Sequence, residues 1–95
     1  MKDKLKQIIE TFGITNQLKK LNEECYELIE AIRDYEDTGT IKLGYREDFI
    51  EELADVLNLL NQFKVYYNVN DNELIEAIEY KVDRTIERIE SGYYK

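Results

Sequence analysis

Apolar residues recur along this chain at three- and four-residue intervals, the period of helices that bury one face. Leu5, Ile8, Ile9 and Phe12 share a face and predict a first helix from about Asp3 to Phe12. A second helix begins near Thr15, which can serve as its cap, and carries Leu18, Leu21, Cys25, Leu28, Ile29 and Ile32. The third, about Glu47 to Tyr66, is apolar around most of its circumference through Phe49, Ile50, Leu53, Ala54, Val56, Leu57, Leu59, Leu60 and Phe63. It is expected to be central and largely buried. Asn70 with Glu73 three residues on forms a capping-box signature and opens a fourth helix, striped by Leu74, Ile75, Ile78, Val82, Ile86 and Ile89. Proline is absent, and Gly13, Gly39, Gly44 and Gly92 mark the breaks. The one long connection runs from Asp34 to about Arg46, a length that in a compact domain often serves function. The expected fold is an all-α, four-helix-type bundle forming a single domain over residues 1–95.

Size changes this picture first. Ninety-five residues lie near the lower limit at which one core suffices alone. A third helix apolar on most sides has more surface than three short neighbours cover, so a homo-oligomer is expected, a dimer or a tetramer, with its interface largely on the second and third helices. Thirteen basic against 21 acidic residues give a formal charge of -8, which argues against a nonspecific grip on nucleic acid or an anionic membrane. No apolar run approaches membrane-spanning length and the start lacks a signal-peptide stretch, so a cytoplasmic protein is expected. Cys25 is the only cysteine and can form no internal disulfide. With no histidine, His-dependent zinc sites, triads and Glu-x-x-His di-iron sites are excluded.

The candidate chemistry lies in two acidic runs, Glu23-Glu24-Cys25-Tyr26-Glu27 and Glu51-Glu52-Leu53-Ala54-Asp55. Spacings of three put Glu24 with Glu27, and Glu52 with Asp55, on the same side of their helices. Glu52 falls inside the apolar arc of the third helix, near Leu59 and Phe63, where an unpaired charge costs several kcal/mol. Glu24 borders the arc of the second. Four carboxylates without nitrogen or sulfur ligands favour Mg²⁺, with Mn²⁺ or Ca²⁺ as alternatives. The plainer alternative is a set of interhelical salt bridges to Lys19, Lys20 or Arg33.

Lys81, Arg84 and Arg88 gather on one flank of the fourth helix, while Glu76, Glu79, Asp83, Glu87 and Glu90 crowd the other. Ordinary helix stabilisation would interleave the signs. A cationic stripe suits a phosphate clamp, although it also suits neutralisation of nearby carboxylates. Gln17 and Lys20, one turn upstream of Glu24, are placed to reach a substrate, and Tyr26, Tyr45 and Tyr80 offer stacking surfaces.

These residues resemble the MazG-like, all-α nucleoside triphosphate pyrophosphohydrolases, marked by Glu-Glu-x-x-Glu and, some two dozen residues later, Glu-x-x-Asp. Here the marks are Glu23-Glu24-Cys25-Tyr26-Glu27 and Glu52-Leu53-Ala54-Asp55. The likeness runs from Gln17-Leu18-Lys19-Lys20-Leu21 to Lys81-Val82-Asp83-Arg84-Thr85-Ile86-Glu87-Arg88-Ile89. It implies a helical bundle that binds Mg²⁺ through Glu24, Glu27, Glu52 and Asp55, with Glu23 as a supporting acid, and cuts a nucleoside triphosphate to monophosphate and pyrophosphate. Lys81 and Arg84 match the family's basic positions; Arg88 comes from the helical wheel alone. With no activated nucleophile in the chain, attack by a water acidified by the cation is the economical route. The segment Asp34 to Arg46 matches no base-selecting element, so the substrate's base does not carry over. Two other readings are a phosphoribosyl-ATP pyrophosphohydrolase and a non-enzymatic acidic helical interaction module.

Overall fold

The computed structural model describes residues 1–37 and 45–94, and the regular elements among them are four α-helices and no strand: α1 (Lys2–Phe12), α2 (Ile14–Asp37), α3 (Tyr45–Tyr66) and α4 (Asp71–Glu90). A single residue separates α1 from α2. Gly13 takes φ +83°, a left-handed value that costs a glycine little, and its N–H donates to the Ile9 carbonyl at 2.7 Å. Thr15, expected as a cap, therefore lies inside α2. Both central helices run further into the expected connection than the apolar periodicity indicates. Residues 38–44 of that segment lie outside the described residues.

Helices α2 and α3 form an antiparallel pair. Their register follows from three cross-links: Gln17 to Gln62, Glu24 beside Glu52 and Asp55, and the Tyr35 and Phe49 rings 6.0 Å apart. Helix α1 folds back on α3 and α2 and buries Leu5 and Ile9. With Val56 and Leu59 these are the buried apolar side chains among the described residues. Three polar side chains share that burial, Gln17, Glu24 and Gln62. Gln62 is the most enclosed, at 1 % exposure; it accepts from Gln17 Nε2 at 2.7 Å and donates to Asn58 Oδ1 at 3.3 Å. A buried amide is tolerated because both its ends are bonded.

Helix α3 is central, as its composition requires, since both α1 and α2 pack on it. It is not largely buried: Ile50, Leu57 and Leu60 remain exposed. The reason is α4, which among the described residues packs against none of the other helices. Its turn is well formed. Asn68 sits at φ 55° and the Val69 N–H reaches back to the Lys64 carbonyl, a Schellman closure with asparagine in the left-handed position. Asn70 and Glu73 then make the expected capping box, with Glu73 N–H donating to Asn70 Oδ1 at 2.8 Å. Lys64 Nζ pairs with Asp71 across the turn and holds that carboxyl below its ordinary range. The stripe of Ile75, Ile78, Val82, Ile86 and Ile89 is about half exposed along its whole length. No described helix is long and apolar enough to cross a membrane.

Removing the buried amide should cost far more than removing the surface cap. Gln62→Ala opens a cavity and strands Gln17, so a loss of about 2–4 kcal/mol is expected; Asn70→Ala should lose about 1 kcal/mol. Urea unfolding at one fixed protein concentration measures both, and equal losses would show that the amide does not hold the α2 and α3 register.

Candidate metal centre

Midway along the α2 and α3 pair the apolar seam gives way to acids. Glu24 projects from α2, and Glu52 and Asp55, three residues apart, project from one side of α3. One carboxylate oxygen from each lies within 4.8 Å of the others. Glu24 is buried, Glu52 half-buried and Asp55 exposed, so the triplet opens from the interior toward solvent. Glu27 stands beside it, one turn further along α2. Its charge helps to raise Glu52, and the two line a groove of about 240 Å³ together with Glu30, Asp34, Tyr45 and Asp48.

The electrostatics of the triplet are uneven. Lys20 Nζ lies 3.1 Å from Glu24 Oε1, and this bond holds the Glu24 carboxyl below its ordinary range against the opposing effect of burial. Glu52 has no such cation. Burial first, then the charges of Glu27, Glu24 and Asp55, push its carboxyl up to about 7. Among the described residues the buried side-chain atoms without a hydrogen-bond partner are Glu24 Oε2, Glu52 Oε2 and Arg84 Nε. Two of the three are thus carboxylate oxygens of one cluster. Unpaired buried acceptors beside one another are costly, and a hard divalent cation satisfies both. An all-oxygen donor set fits such an ion.

Among the described residues the interhelical salt bridges that would compete with a metal site do not form. Lys20 pairs within α2 and Arg33 pairs with Glu30 on the same helix at 3.6 Å. Among the described residues the ion pairs are these two and Lys64 with Asp71, and none involves Glu52, Asp55, Lys81, Arg84 or Arg88. Arg84 lies 5.7 Å from the Tyr80 ring centre and Arg88 4.8 Å from that of Tyr93, so both cations rest on aromatic faces. Because α4 packs on none of α1 to α3, the basic stripe is not brought to the acids of its own chain.

Of the other candidates, Gln17 is buried and tied to Gln62, Lys20 is held by Glu24, and Glu23 is exposed on the neighbouring face. Tyr45 lines the acidic groove, while Tyr26 and Tyr80 are exposed. Glu30, Asp34 and Asp48 extend the acidic surface beyond the two motifs. Their spacing signals this: Asp48 is four residues before Glu52, and Glu30 and Asp34 are three and seven after Glu27.

A family model, the MazG nucleotide pyrophosphohydrolase domain, matches residues 12–88. That span contains both acidic motifs and the basic stripe. No curated protein and no solved structure matches the chain.

The raised Glu52 carboxyl carries a signed pH dependence. The folded, metal-free protein keeps this proton up to about pH 7, whereas the unfolded chain releases it near its ordinary value of 4.5. Stability from this group is therefore present below about pH 4.5 and lost as pH rises through about 7. Glu24, held down by Lys20, works in the opposite sense and at lower pH. Glu52→Gln should flatten the decline between pH 5 and 8 and raise the metal-free Tm at pH 8. Mg²⁺ must displace the proton, so its thermal stabilisation of the native protein should grow from pH 5.5 to pH 8 and vanish in Glu52→Gln. Thermal melts with and without Mg²⁺ across this range decide; a Tm independent of pH and of Mg²⁺ contradicts the site.

Proposed function

Because the chain belongs to the MazG nucleotide pyrophosphohydrolase domain family, we propose that it hydrolyses a (deoxy)nucleoside triphosphate to the monophosphate and pyrophosphate with Mg²⁺, or Mn²⁺ in its place. The observation that carries this is the orphaned pair of buried carboxylate oxygens, Glu24 Oε2 and Glu52 Oε2, inside a triplet 4.8 Å across. Glu24, Glu27, Glu52 and Asp55 hold the cation in this reading. A divalent ion there supplies Lewis acidity toward the phosphates and acidifies water nearby. The chain's own work is positioning: Glu24 and Glu52 would hold the cation that meets the phosphates at the α2 and α3 seam, while Glu23, or whichever carboxylate the metal leaves free, would orient the attacking water. Lys20 offsets charge on the same face, next to Gln17. The single MazG domain is taken to span residues 1–95.

Pyrophosphate leaves with a large negative charge, and Lys81, Arg84 and Arg88 are the cations suited to neutralise it. Within one chain they are not carried to the acids. The reading is completed by a homo-oligomer, a dimer or a dimer of dimers, in which the exposed stripe of α4 and the exposed Ile29, Ile32, Ile50, Leu57 and Leu60 of α2 and α3 are covered by a second copy. Arg84 and Arg88 rest over the Tyr80 and Tyr93 rings.

A nucleotide panel with Mg²⁺, assayed for monophosphate and pyrophosphate, tests the reaction; phosphoribosyl-ATP belongs in the panel. Glu52→Gln and Asp55→Asn should lower turnover about a hundredfold or more, since even residues behind a metal's ligands carry effects of that order. Arg84→Ala or Lys81→Ala should impair turnover well beyond Glu79→Ala or Glu87→Ala on the opposite flank. Equal small effects on both flanks would return the stripe to a solvated surface. Light scattering of active protein at micromolar concentration should give a dimer or tetramer mass, and a monomer mass would remove the shared site.

A further inference from the structure

At the junction of α1 and α2 lies a groove of about 440 Å³ lined by Phe12, Asn16, Gln17, Lys19, Lys20 and Glu23. Its placement is notable for what adjoins it. Lys20, on its wall, is bonded to Glu24 of the carboxylate triplet. Along α2 the order is amide (Asn16, Gln17), cation (Lys20), acid (Glu23, Glu24), at a helical rise of about 1.5 Å per residue, so Asn16 and Glu24 are about 12 Å apart along the axis. A nucleotide extended from base to phosphates spans such a length.

The far end of this groove has the chemistry of a base site. Phe12 is 58 % exposed, whereas Phe49 and Phe63 are half-buried. Gly13 ends α1 immediately after Phe12 and turns the chain into α2, which leaves the ring at the junction and off the core. Asn16 Nδ2 donates to the Phe12 carbonyl at 2.7 Å. A carbonyl only accepts, so this bond fixes which end of the amide is which and leaves Oδ1 as an acceptor. Gln17 forms the floor and is itself held by Gln62. An aromatic face beside a fixed acceptor suits a planar heterocycle carrying an N–H, and base stacking on an aromatic ring is sequence-tolerant.

We infer that Phe12 and Asn16 form the nucleobase subsite, with the base stacked on the Phe12 ring and donating to Asn16 Oδ1, and with Lys20 between the base and the metal centre. This deepens the pyrophosphohydrolase reading and rests on it for the phosphate end alone. It also places selection at the α1 and α2 junction instead of at Tyr26, Tyr45 or Tyr80.

The test separates the two claims. Nucleoside 5′-monophosphates (AMP, GMP, CMP, UMP) and ribose 5-phosphate are titrated into ¹⁵N-labelled protein without divalent metal. The expected result is a shift of the Asn16 side-chain amide and the Phe12 backbone by at least one base-bearing ligand and not by ribose 5-phosphate. Phe12→Ala should weaken that binding about tenfold and Phe12→Tyr preserve it. With the best triphosphate of the panel, Phe12→Ala should raise KM about tenfold and leave kcat within about twofold. Base-dependent shifts without turnover would uphold the subsite and remove the hydrolase reading. Normal turnover with Phe12→Ala unchanged in KM, or identical shifts from ribose 5-phosphate, would overturn the subsite alone. A change in oligomer mass in Phe12→Ala with unaltered nucleotide affinity would also overturn it and assign the ring to a subunit contact.

Discussion

Like charges forced together at the α2 and α3 seam are the constraint on which this molecule turns. Glu24, Glu52 and Asp55 converge to within 4.8 Å with Glu27 alongside, and among the described residues Lys20 alone pairs with one of them. An isolated hairpin would relieve this by sliding or splaying. It cannot, because the Gln17 and Gln62 amides clasp its open end and the Tyr35 and Phe49 rings pack near the connected end. Stability is thus spent to hold acids in place, the usual signature of a site kept for chemistry. The orphaned oxygens and the raised Glu52 carboxyl are two expressions of the same crowding.

The site and the packing meet different physical demands along one helix. The α3 residues Val56, Leu59 and Gln62 form the buried base of the seam, while Glu52 and Asp55, a turn away, face the opening. A continuous apolar seam would have been more stable but would offer a cation nothing. The amide ladder of Gln17, Gln62 and Asn58 is an intermediate solution, polar enough to border acids and fully bonded inside. It carries polarity from the acids toward the α1 junction, where Phe12 and Asn16 lie.

Much of this was readable from residue order, because helical phase is a local property. The wheel position of Glu52 inside an apolar arc announced a buried acid, and Asn70 with Glu73 announced the capping box that forms. What the order of residues did not convey is non-local. Gln62 reads as an unremarkable polar residue in an apolar helix, and only its partner 45 positions away explains its burial. The expected connection proved shorter because helical hydrogen bonding outlasts apolar periodicity at both ends. Amphipathicity predicted that α4 has a face to cover, but periodicity cannot say whether the cover comes from the same chain. Here it does not.

The clasp at both ends of the hairpin also has a kinetic meaning. Gln17 and Gln62 meet across 45 residues, so their bond closes only when α2 and α3 have come together. The acids feel their full mutual repulsion only then. A cation that relieves it acts on the native state and little on the folding transition state, and by that logic it slows the rate at which the protein opens far more than it hastens the rate at which it forms. If the centre holds a divalent ion as proposed, its occupancy is a brake on unfolding, and the lifetime of the native hairpin follows the supply of that ion.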